Sequence, residues 1–312
     1  MSVNDCDVDP GIYPDMPMDE YHSYDAISST FIRKCDPTIS HGLAYLDRED
    51  DGPSKTQRIG TATHAAVLEP DEFQHNYIDS EPPVDTGDMY YRHRDTARLL
   101  AEGRDVETVA EEIGVKPETV KKYTEKEEVQ KLRVHYLHHP PEESPQLSDD
   151  ELERSRKARD AVLEHPKAAA ILADGEAEVS HFWEDETGLM CRCRPDFETS
   201  AGDLVDLKTT DGASRRNVEK HIGRHGYHIQ AAYYEYGVSV TRGKWSQFYF
   251  LIFVETTPPF GCTVYEVGND SLQRGRRTYR DRLDRLAKYY RGELETVGYP
   301  TEITTIEAPN WA

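Results

Sequence analysis

Leu189 to Thr210 reads LMCRCRPDFETSAGDLVDLKTT, and this stretch decides the fold that we expect for the chain. Apolar and polar residues alternate between Leu189 and Phe197, and this period of two is typical of a half-buried β-strand. The segment Asp203 to Thr209 alternates in the same way, and Ser200 to Gly202 supplies the small and polar residues of a tight turn. The stretch therefore predicts a β-hairpin.

Two acidic residues and a lysine occupy this predicted hairpin. Asp196 and Asp206 lie about equally far from the turn, so we expect them to be near-opposite neighbours with Cβ atoms roughly 4.5–5.5 Å apart. Two like charges that face each other destabilise a sheet unless a positive charge lies between them. Lys208 shares a strand face with Asp206 because side chains two residues apart point the same way. These residues predict a divalent-metal site at the two carboxylates, with Lys208 beside it.

A further strand is predicted immediately before the hairpin. The segment Glu176 to Glu184, EAEVSHFWE, alternates between two faces, and Glu178 shares one face with Ser180 and Phe182. Two interpretations of Glu178 stay open. It faces the same cleft as Asp196, or it merely ends an edge strand.

The composition limits the class of protein. With 312 residues, the chain is long enough for one large domain or for one domain with an insertion. Its apolar stretches fall short of the roughly 20 residues of a membrane-spanning helix, and its start lacks the basic and apolar regions of a signal peptide. Five cysteines without CxxC spacing indicate neither a disulfide framework nor a zinc ribbon. We therefore expect a cytoplasmic protein with no membrane association.

The net charge of −22 is unusual for a nucleic-acid-binding protein, because such proteins carry basic surfaces. It fits either a protein that avoids polyanions or one that combines a solvated acidic surface, as in a high-salt host, with a locally basic groove. A helix predicted from Ala213 to Gly223 carries Arg215, Arg216 and Lys220. These residues are candidate phosphate contacts, although three basic residues are also common on an ordinary solvated face.

A helix is predicted from Ile59 to Leu68 and ends before Pro70. It places Gly60 and His64 one turn apart on the same face. His64 is either an ordinary packed or exposed helical residue, or it faces the carboxylate pair.

Three short helices are predicted between Asp95 and Tyr123, with Gly103 and Gly114 between them. The pattern resembles a helix-turn-helix, whose last helix would present Lys121 and Lys122 to DNA. The alternative is a helical insertion that packs around its own small core. Both interpretations stay open because the apolar positions serve either one.

Four short elements occur in a fixed order along the chain: GxxxH at Gly60 to His64, Pro195-Asp196, Asp206-x-Lys208, and QxxxY at Gln230 to Tyr234. The set resembles the PD-(D/E)XK nuclease superfamily, and within it the RecB-like branch. Longer stretches, including GTATHAAVLEPDEF, LVDLKTT and GYHIQAAYY, are similar to the nuclease domain of exodeoxyribonuclease VIII, the RecE type. This similarity spans nearly the whole chain except residues 90–135.

The resemblance implies an α/β fold with a restriction-endonuclease-like core, a mixed central β-sheet flanked by helices, and a helix-turn-helix-like insertion. We expect the N-terminal part of the nuclease domain in residues 1–89, the insertion in residues 90–135, and the nuclease core with a C-terminal helix in residues 136–312.

The implied activity is metal-dependent exonuclease digestion of linear double-stranded DNA, 5′→3′, in recombination or repair. The implied partners are duplex DNA ends, further copies of the chain in a ring-shaped homo-oligomer, and a single-strand annealing protein. A structure-specific DNA endonuclease, or a non-catalytic DNA-binding module that uses the insertion, stays open as an alternative.

The resemblance also implies a role for each candidate residue. Mg²⁺, or Mn²⁺ in its place, would be held by Asp196, Asp206 and the Leu207 carbonyl, because hard cations favour oxygen ligands. His64 would complete the metal site or contact the phosphate. Glu178 is a further candidate ligand, and Lys208 would orient water or stabilise charge on the phosphate. DNA contacts are expected from Gln230, Tyr234, Arg192, Arg194, Lys121 and Lys122. No iron–sulfur cluster is expected, because the chain lacks the cysteine cluster that binds it in some RecB-like nucleases.

Overall fold

The computed structural model describes residues 7–48, 52–74, 77, 88–126, 129–130, 147–294, 297–299, 302–303 and 305–308. The chain divides into two compact units. The first unit consists of Met1–Gly52 and Asp160–Ala312, and the second unit is Pro53–Arg159. The boundaries predicted near residues 89 and 135 stay predictions, and residues 131–135 lie outside the described residues.

The first unit contains two β-sheets. A three-stranded antiparallel sheet has the order β1 (Gly11–Tyr13), β3 (Ser180–Glu184), β4 (Met190–Cys193). A five-stranded sheet has the order β2 (Gly175–Ala177), β5 (Phe197–Thr199), β6 (Leu204–Thr210), β7 (Tyr249–Glu255), β8 (Cys262–Glu266). Strands β6 and β7 are parallel and the other neighbours are antiparallel, so the larger sheet is mixed, as predicted.

The predicted hairpin is confirmed, since β5 and β6 are antiparallel neighbours that pair Phe197 with Val205. The prediction of one continuous strand from Leu189 to Phe197 is wrong. The chain leaves the smaller sheet after β4 and enters the larger sheet at β5. Pro195 lies in the gap between them, and a proline has no N–H to continue a strand ladder.

The strand predicted from Glu176 to Glu184 is interrupted in the same place. Glu178 has φ 53°, an uncommon left-handed conformation for a residue other than glycine, and it separates β2 from β3. The pairs Ala177–Phe197 and His181–Cys193 nevertheless keep one register. Strands β2–β3 and β4–β5 are therefore two arms of one long antiparallel ribbon, which bends at Glu178 on one arm and around Pro195 on the other.

Helices flank the larger sheet in the first unit. They are α1 (Met18–Ser23), α2 (Ser29–Lys34), α3 (Ile39–Leu46), α10 (Pro166–Ile171), α11 (Arg215–His225), α12 (Tyr227–Arg242) and α13 (Asn269–Tyr290). Helices α11 and α12 form the crossover between the parallel strands β6 and β7. Residues of α12 and α13 share one hydrophobic core with Leu204, Leu251 and Phe253 of the sheet. Gly275 permits the close approach of α13 to α12, because a Cβ at this position would lie 2.0 Å from the His228 carbonyl oxygen.

The second unit is helical in its described residues. Its helices are α4 (Lys55–Leu68), α5 (Pro70–Phe73), α6 (Asp88–Ala101), α7 (Val106–Glu112), α8 (Pro117–Thr124) and the start of α9 (Asp149–Glu164). Helix α4 begins earlier than the predicted Ile59 because Ser54 and Gln57 form a capping box. The three predicted helices are confirmed as α6, α7 and α8, and Gly103 and Gly114 between them have positive φ values. Apolar residues of these three helices form a separate small core.

Candidate active site

Three carboxylates lie side by side where the ribbon bends. Continuing the register by one position from Phe197 places Asp196 opposite Glu178 on one side and opposite Asp206 on the other. The backbone N–H of Glu178 donates to the Asp196 carbonyl at 3.2 Å, as this register requires. Carboxylate oxygens of Glu178 and Asp196 lie within 4.8 Å of each other, and the side chains of Asp196 and Asp206 are in hydrogen-bonding contact. We refer to Glu178, Asp196 and Asp206 as the carboxylate row.

The Asp196 carboxylate also stabilises the end of the β5–β6 ladder. The backbone N–H of Leu207 donates to Asp196 Oδ2 at 2.6 Å. This contact fixes the Asp196 side chain against β6, beside Asp206. The Leu207 carbonyl as a metal ligand stays a prediction.

Asp206 is fully buried, and Lys208 and Gln230 contact its carboxylate in addition to Asp196. Lys208 Nζ lies 2.6 Å from Asp206 Oδ2, so the two side chains share a strand face as predicted. Gln230 Nε2 donates to Asp206 Oδ1 at 3.1 Å from helix α12. The Tyr227 ring, at the start of the same helix, lies 5.3 Å from Lys208 Nζ. These contacts hold the carboxylate and the ammonium in fixed positions.

Burial and neighbouring charges shift the pKa values of Asp196 and Lys208. Burial raises the pKa of Asp196, although Lys208, the Leu207 N–H and Asp206 oppose the shift. Burial alone would lower the pKa of Lys208, but the carboxylates of Asp206 and Asp196, with Tyr227, outweigh it and raise that pKa. Lys208 is therefore an ammonium at neutral pH. A divalent cation beside the carboxylate row would add positive charge and so favour the ionised form of Asp196.

The donor set fits a hard divalent cation. Carboxylate oxygens are the ligands that Mg²⁺ and Ca²⁺ prefer, and thiolates or clustered imidazoles would instead favour softer metals. The Leu207 N–H holds the Asp196 carboxylate. The Gln230 amide and the Lys208 ammonium hold the Asp206 carboxylate. Both carboxylates are therefore oriented before a cation binds. Asp196 and Asp206 would hold the ion, with Glu178 as a further ligand.

His64 belongs to the second unit, where it is half-buried on α4. It lies one helical turn after Gly60, as predicted. Its part in the metal site stays a prediction from the sequence.

The QxxxY residues differ in their surroundings. Gln230 is only 6% exposed and its amide donates to Asp206, so it positions a candidate ligand and has little surface to offer a DNA strand. Tyr234 is half-buried, burial raises its pKa, and its hydroxyl hydrogen bonds with Ser29 of α2. Its contact with DNA stays a prediction.

The two arginines of β4 and the following loop have a structural role. Arg192 donates to the backbone carbonyls of Tyr21 and Tyr24. Arg194 is buried, donates to Ser180 Oγ at 2.7 Å and lies over the Tyr21 ring. Their guanidinium groups tie the N-terminal segment to the smaller sheet, and their contact with DNA stays a prediction. Sequence alternation does not reveal partners so far away in the chain.

Tyr227 is a site residue that the four motif elements do not include. It precedes Gln230 by three positions and Tyr234 by seven, so all three lie on one face of α12. That spacing is visible in the sequence, and it is the signal that could have identified Tyr227. Lys121 and Lys122 are exposed on α8 of the second unit.

One aspartate immediately before β5 and a second on the neighbouring strand β6, the latter in an acid-x-lysine triplet, are the arrangement of the PD-(D/E)XK nucleases. The chain belongs to the family described as a PDDEXK-like domain of unknown function (DUF3799), whose model matches residues 28–299. The predicted superfamily and restriction-endonuclease-like fold are thereby confirmed, and a nuclease is supported at this level.

A solved structure shows a similar fold. A crystal structure from Eubacterium rectale, described as a "Putative exonuclease", has a TM-score of 0.53 and 13% identity, and the match covers 90% of this chain and 88% of that one. A second structure, SSO0001, matches 86% of this chain and 88% of its own at 10% identity, with a TM-score of only 0.25. No curated protein sequence is significantly similar to the chain. Among the described residues, none of the helices combines the length and apolar character of a membrane span.

Proposed function

We propose that the chain is a divalent-metal-dependent exonuclease that hydrolyses phosphodiester bonds at the ends of linear double-stranded DNA. The carboxylate row beside Lys208 carries this proposal, because it combines oxygen ligands for a cation with a fixed ammonium. The family supports the nuclease class. The exonuclease assignment is supported by the resemblance to the RecE type and by the description of the Eubacterium rectale structure.

The chain's own residues have distinct parts in the proposed reaction. A divalent ion bound here would polarise the scissile phosphate and lower the pKa of bound water. Asp196 and Asp206 would bind the ion, and Gln230 would keep Asp206 in its binding orientation. The Lys208 ammonium, with its side chain 16% exposed, would donate to the attacking water or to the phosphate oxygens as negative charge develops. Tyr227 would restrict the ammonium to that position.

Several finer properties are part of the proposal. The ion would be Mg²⁺, with Mn²⁺ as a substitute, and digestion would run 5′→3′. The protein would act in the cytoplasm in recombination or repair, as a ring-shaped homo-oligomer with a single-strand annealing protein as its partner. The composition supports the cytoplasmic location, and the resemblance supports the other properties.

The cleavage experiment compares linear and closed circular duplex DNA with Mg²⁺ or with EDTA. We expect release of nucleotides from the linear DNA only, and only with Mg²⁺; labels at the 5′ or 3′ ends report the direction. Asp206→Asn should lose this activity, whereas Asp281→Asn, an exposed change on α13, should keep it. Equal digestion of circles would indicate an endonuclease. Inertness toward both substrates at every salt concentration would indicate a binding module.

The second unit supports a second DNA contact as a further candidate. Helices α7 and α8 are joined by four residues and pack on a core of their own, and α8 exposes Lys121 and Lys122. This arrangement resembles the helix-turn-helix that presents its second helix to the major groove. Lys121→Gln/Lys122→Gln should weaken binding to duplex DNA in EDTA. Unchanged affinity would favour a helical insertion that only packs on itself.

A further inference from the structure

Helix α11 carries a local excess of positive charge in a strongly acidic chain. Its sequence, RRNVEKHIGRH, contains four lysines or arginines and two histidines but one acidic residue. The chain as a whole has a net charge of −22. A cationic helix is not needed for solubility in such a protein, because its acidic surface already provides it.

Three cations of α11 form one exposed stripe. Arg216, Lys220 and Arg224 follow each other at intervals of four, so they lie on the same face of the helix, and all three are exposed. Arg215 differs, because its Nε lies 2.9 Å from Glu219 Oε1. Within the part of the chain that the structure describes, none of the three stripe residues forms an ion pair with a carboxylate.

The end of helix α2 adds two cations to the same surface. Arg33 donates to the His225 carbonyl at 2.9 Å, and the exposed Lys34 follows it. The pKa of His225 is lowered, first by burial and then by His221, Arg224, Arg33 and Lys34. These groups therefore lie close enough to oppose protonation of one imidazole. We refer to Arg33, Lys34, Arg216, Lys220 and Arg224 as the basic ridge.

A chain of ring contacts connects this surface to the active site. The His225 ring stacks on Tyr227 with centroids 5.4 Å apart and an interplanar angle of 22°. The Lys208 ammonium in turn lies 5.3 Å from the centroid of the Tyr227 ring. Gly226, with φ 67°, makes the tight turn that brings the end of α11 to the start of α12. One end of the basic ridge is therefore linked to the carboxylate row through His225, Tyr227 and Lys208.

We propose that the basic ridge binds the phosphate backbone of the DNA strand that continues from the scissile phosphate. This inference rests on the proposed function and names the surface that the acidic chain would use to hold its substrate. The stripe from Arg216 to Arg224 spans about 12 Å along the helix axis. Phosphates of one strand follow each other about every 3.4 Å along the duplex axis, so the stripe matches roughly three of them.

An ordinary solvated helix face is the alternative interpretation. Such a face mixes charges of both signs, as the Arg215–Glu219 pair does on this helix. The ridge instead gathers cations from two helices around one imidazole, which opposes that imidazole's protonation. Repulsion of this kind favours a polyanionic ligand that relieves it.

The test measures how salt affects the binding of end-labelled duplex DNA by fluorescence anisotropy in EDTA, so that no cleavage occurs. The variant Arg216→Gln/Lys220→Gln/Arg224→Gln removes three candidate phosphate contacts. Each contact contributes about 0.9 to the slope of log affinity against log salt, so the slope should fall by about 2.7. Between 50 and 200 mM salt, the wild-type affinity should then drop roughly 40-fold more than that of the variant.

A matched control separates the ridge from net charge. Lys167→Gln/Arg277→Gln/Lys288→Gln removes the same charge from exposed positions on α10 and α13, and it should keep the wild-type slope. A lysine-substituted version, Arg216→Lys/Arg224→Lys, should restore the slope as well. In cleavage assays with Mg²⁺, the ridge variant should raise KM and leave kcat within about twofold, because its residues do not contact the reacting atoms.

The outcomes distinguish this inference from the proposed function. A wild-type protein that neither binds nor cleaves DNA would overturn both. A wild-type protein that cleaves DNA, with ridge and control variants of equal slope, would overturn the ridge alone. An equal loss of slope in both variants would assign the effect to net charge and likewise reject the ridge.

Discussion

Asp196→Asn should stabilise the metal-free protein while it abolishes cleavage. The wild-type carboxylate lies beside two others, and burial raises its pKa. Asparagine keeps a side-chain oxygen that can accept the Leu207 N–H, which lies 2.6 Å from Asp196 Oδ2. The substitution therefore removes a charge and preserves a hydrogen bond of the fold.

The expected magnitude follows from the spacing in the carboxylate row. Carboxylate oxygens of Glu178 and Asp196 lie within 4.8 Å. At an effective dielectric constant of about 20, two charges at this distance repel by about 3 kcal/mol. Attraction to Lys208 and screening by water offset part of this repulsion. We expect a net gain of roughly 1–2 kcal/mol in the free energy of unfolding at pH 8 in EDTA.

Adding Mg²⁺ should reverse the difference in unfolding free energy between Asp196→Asn and the wild type, and lowering the pH should remove it. Mg²⁺ at about 100 times its Kd would stabilise the wild type by about 2.7 kcal/mol and leave the variant nearly unchanged. The raised pKa of Asp196 means that the folded protein takes up this proton more readily than the unfolded chain. The destabilising charge is therefore present at high pH and lost as the pH falls. The gap between variant and wild type in EDTA should shrink from pH 8 toward pH 4.

Urea unfolding followed by tryptophan fluorescence measures these free energies, because Trp183 and Trp245 both report on the first unit. Asp281→Asn, an exposed change on α13, is the matched control and should leave both the stability and the response to Mg²⁺ unchanged. An Asp196→Asn variant less stable than the wild type in EDTA, or equal stabilisation of both proteins by Mg²⁺, would contradict the expected repulsion in the carboxylate row.

Three further changes test the site and its support. Lys208→Gln leaves a buried carboxylate without its ammonium, so urea unfolding should show a loss of roughly 2–4 kcal/mol and cleavage should disappear; equal stability would contradict the ion pair. Glu178→Gly should abolish cleavage but change the free energy of unfolding by no more than about 1 kcal/mol, and a larger loss would assign that side chain a structural role. Gly275→Ala should destabilise by about 1–3 kcal/mol because its Cβ meets the His228 carbonyl, whereas Gly223→Ala on α11 has open space and should not.

The turn sequence and the alternation of side chains along a strand are sufficient to predict the part of the site that lies on one hairpin. The turn at Ser200 to Gly202 fixes the register, and the period of two places Asp206 and Lys208 on one face. The helix carrying Gln230 can be predicted from its own residues as well. Its role could not be predicted, because the contact with Asp206 depends on how α12 packs on the sheet.

The bend of the ribbon exceeds what local rules can predict. Alternation continues through Arg192 and Arg194 into the next strand, and nothing in that pattern shows that the chain changes sheets. The same two arginines bind carbonyls of Met16, Tyr21 and Tyr24, which lie far earlier in the chain. Contacts of this kind follow from tertiary packing. Assigning a side chain to one face of a strand therefore does not predict which residues it contacts.

Glu178 connects the bend to the proposed chemistry. Its left-handed backbone costs on the order of 1 kcal/mol relative to glycine, which would make the same bend without strain. Its side chain then adds a third carboxylate within 4.8 Å of Asp196. The backbone conformation does not favour folding, and strained residues of this kind cluster at functional sites. A glutamate with this backbone conformation is therefore expected where its carboxylate binds a ligand, in keeping with its place in the carboxylate row.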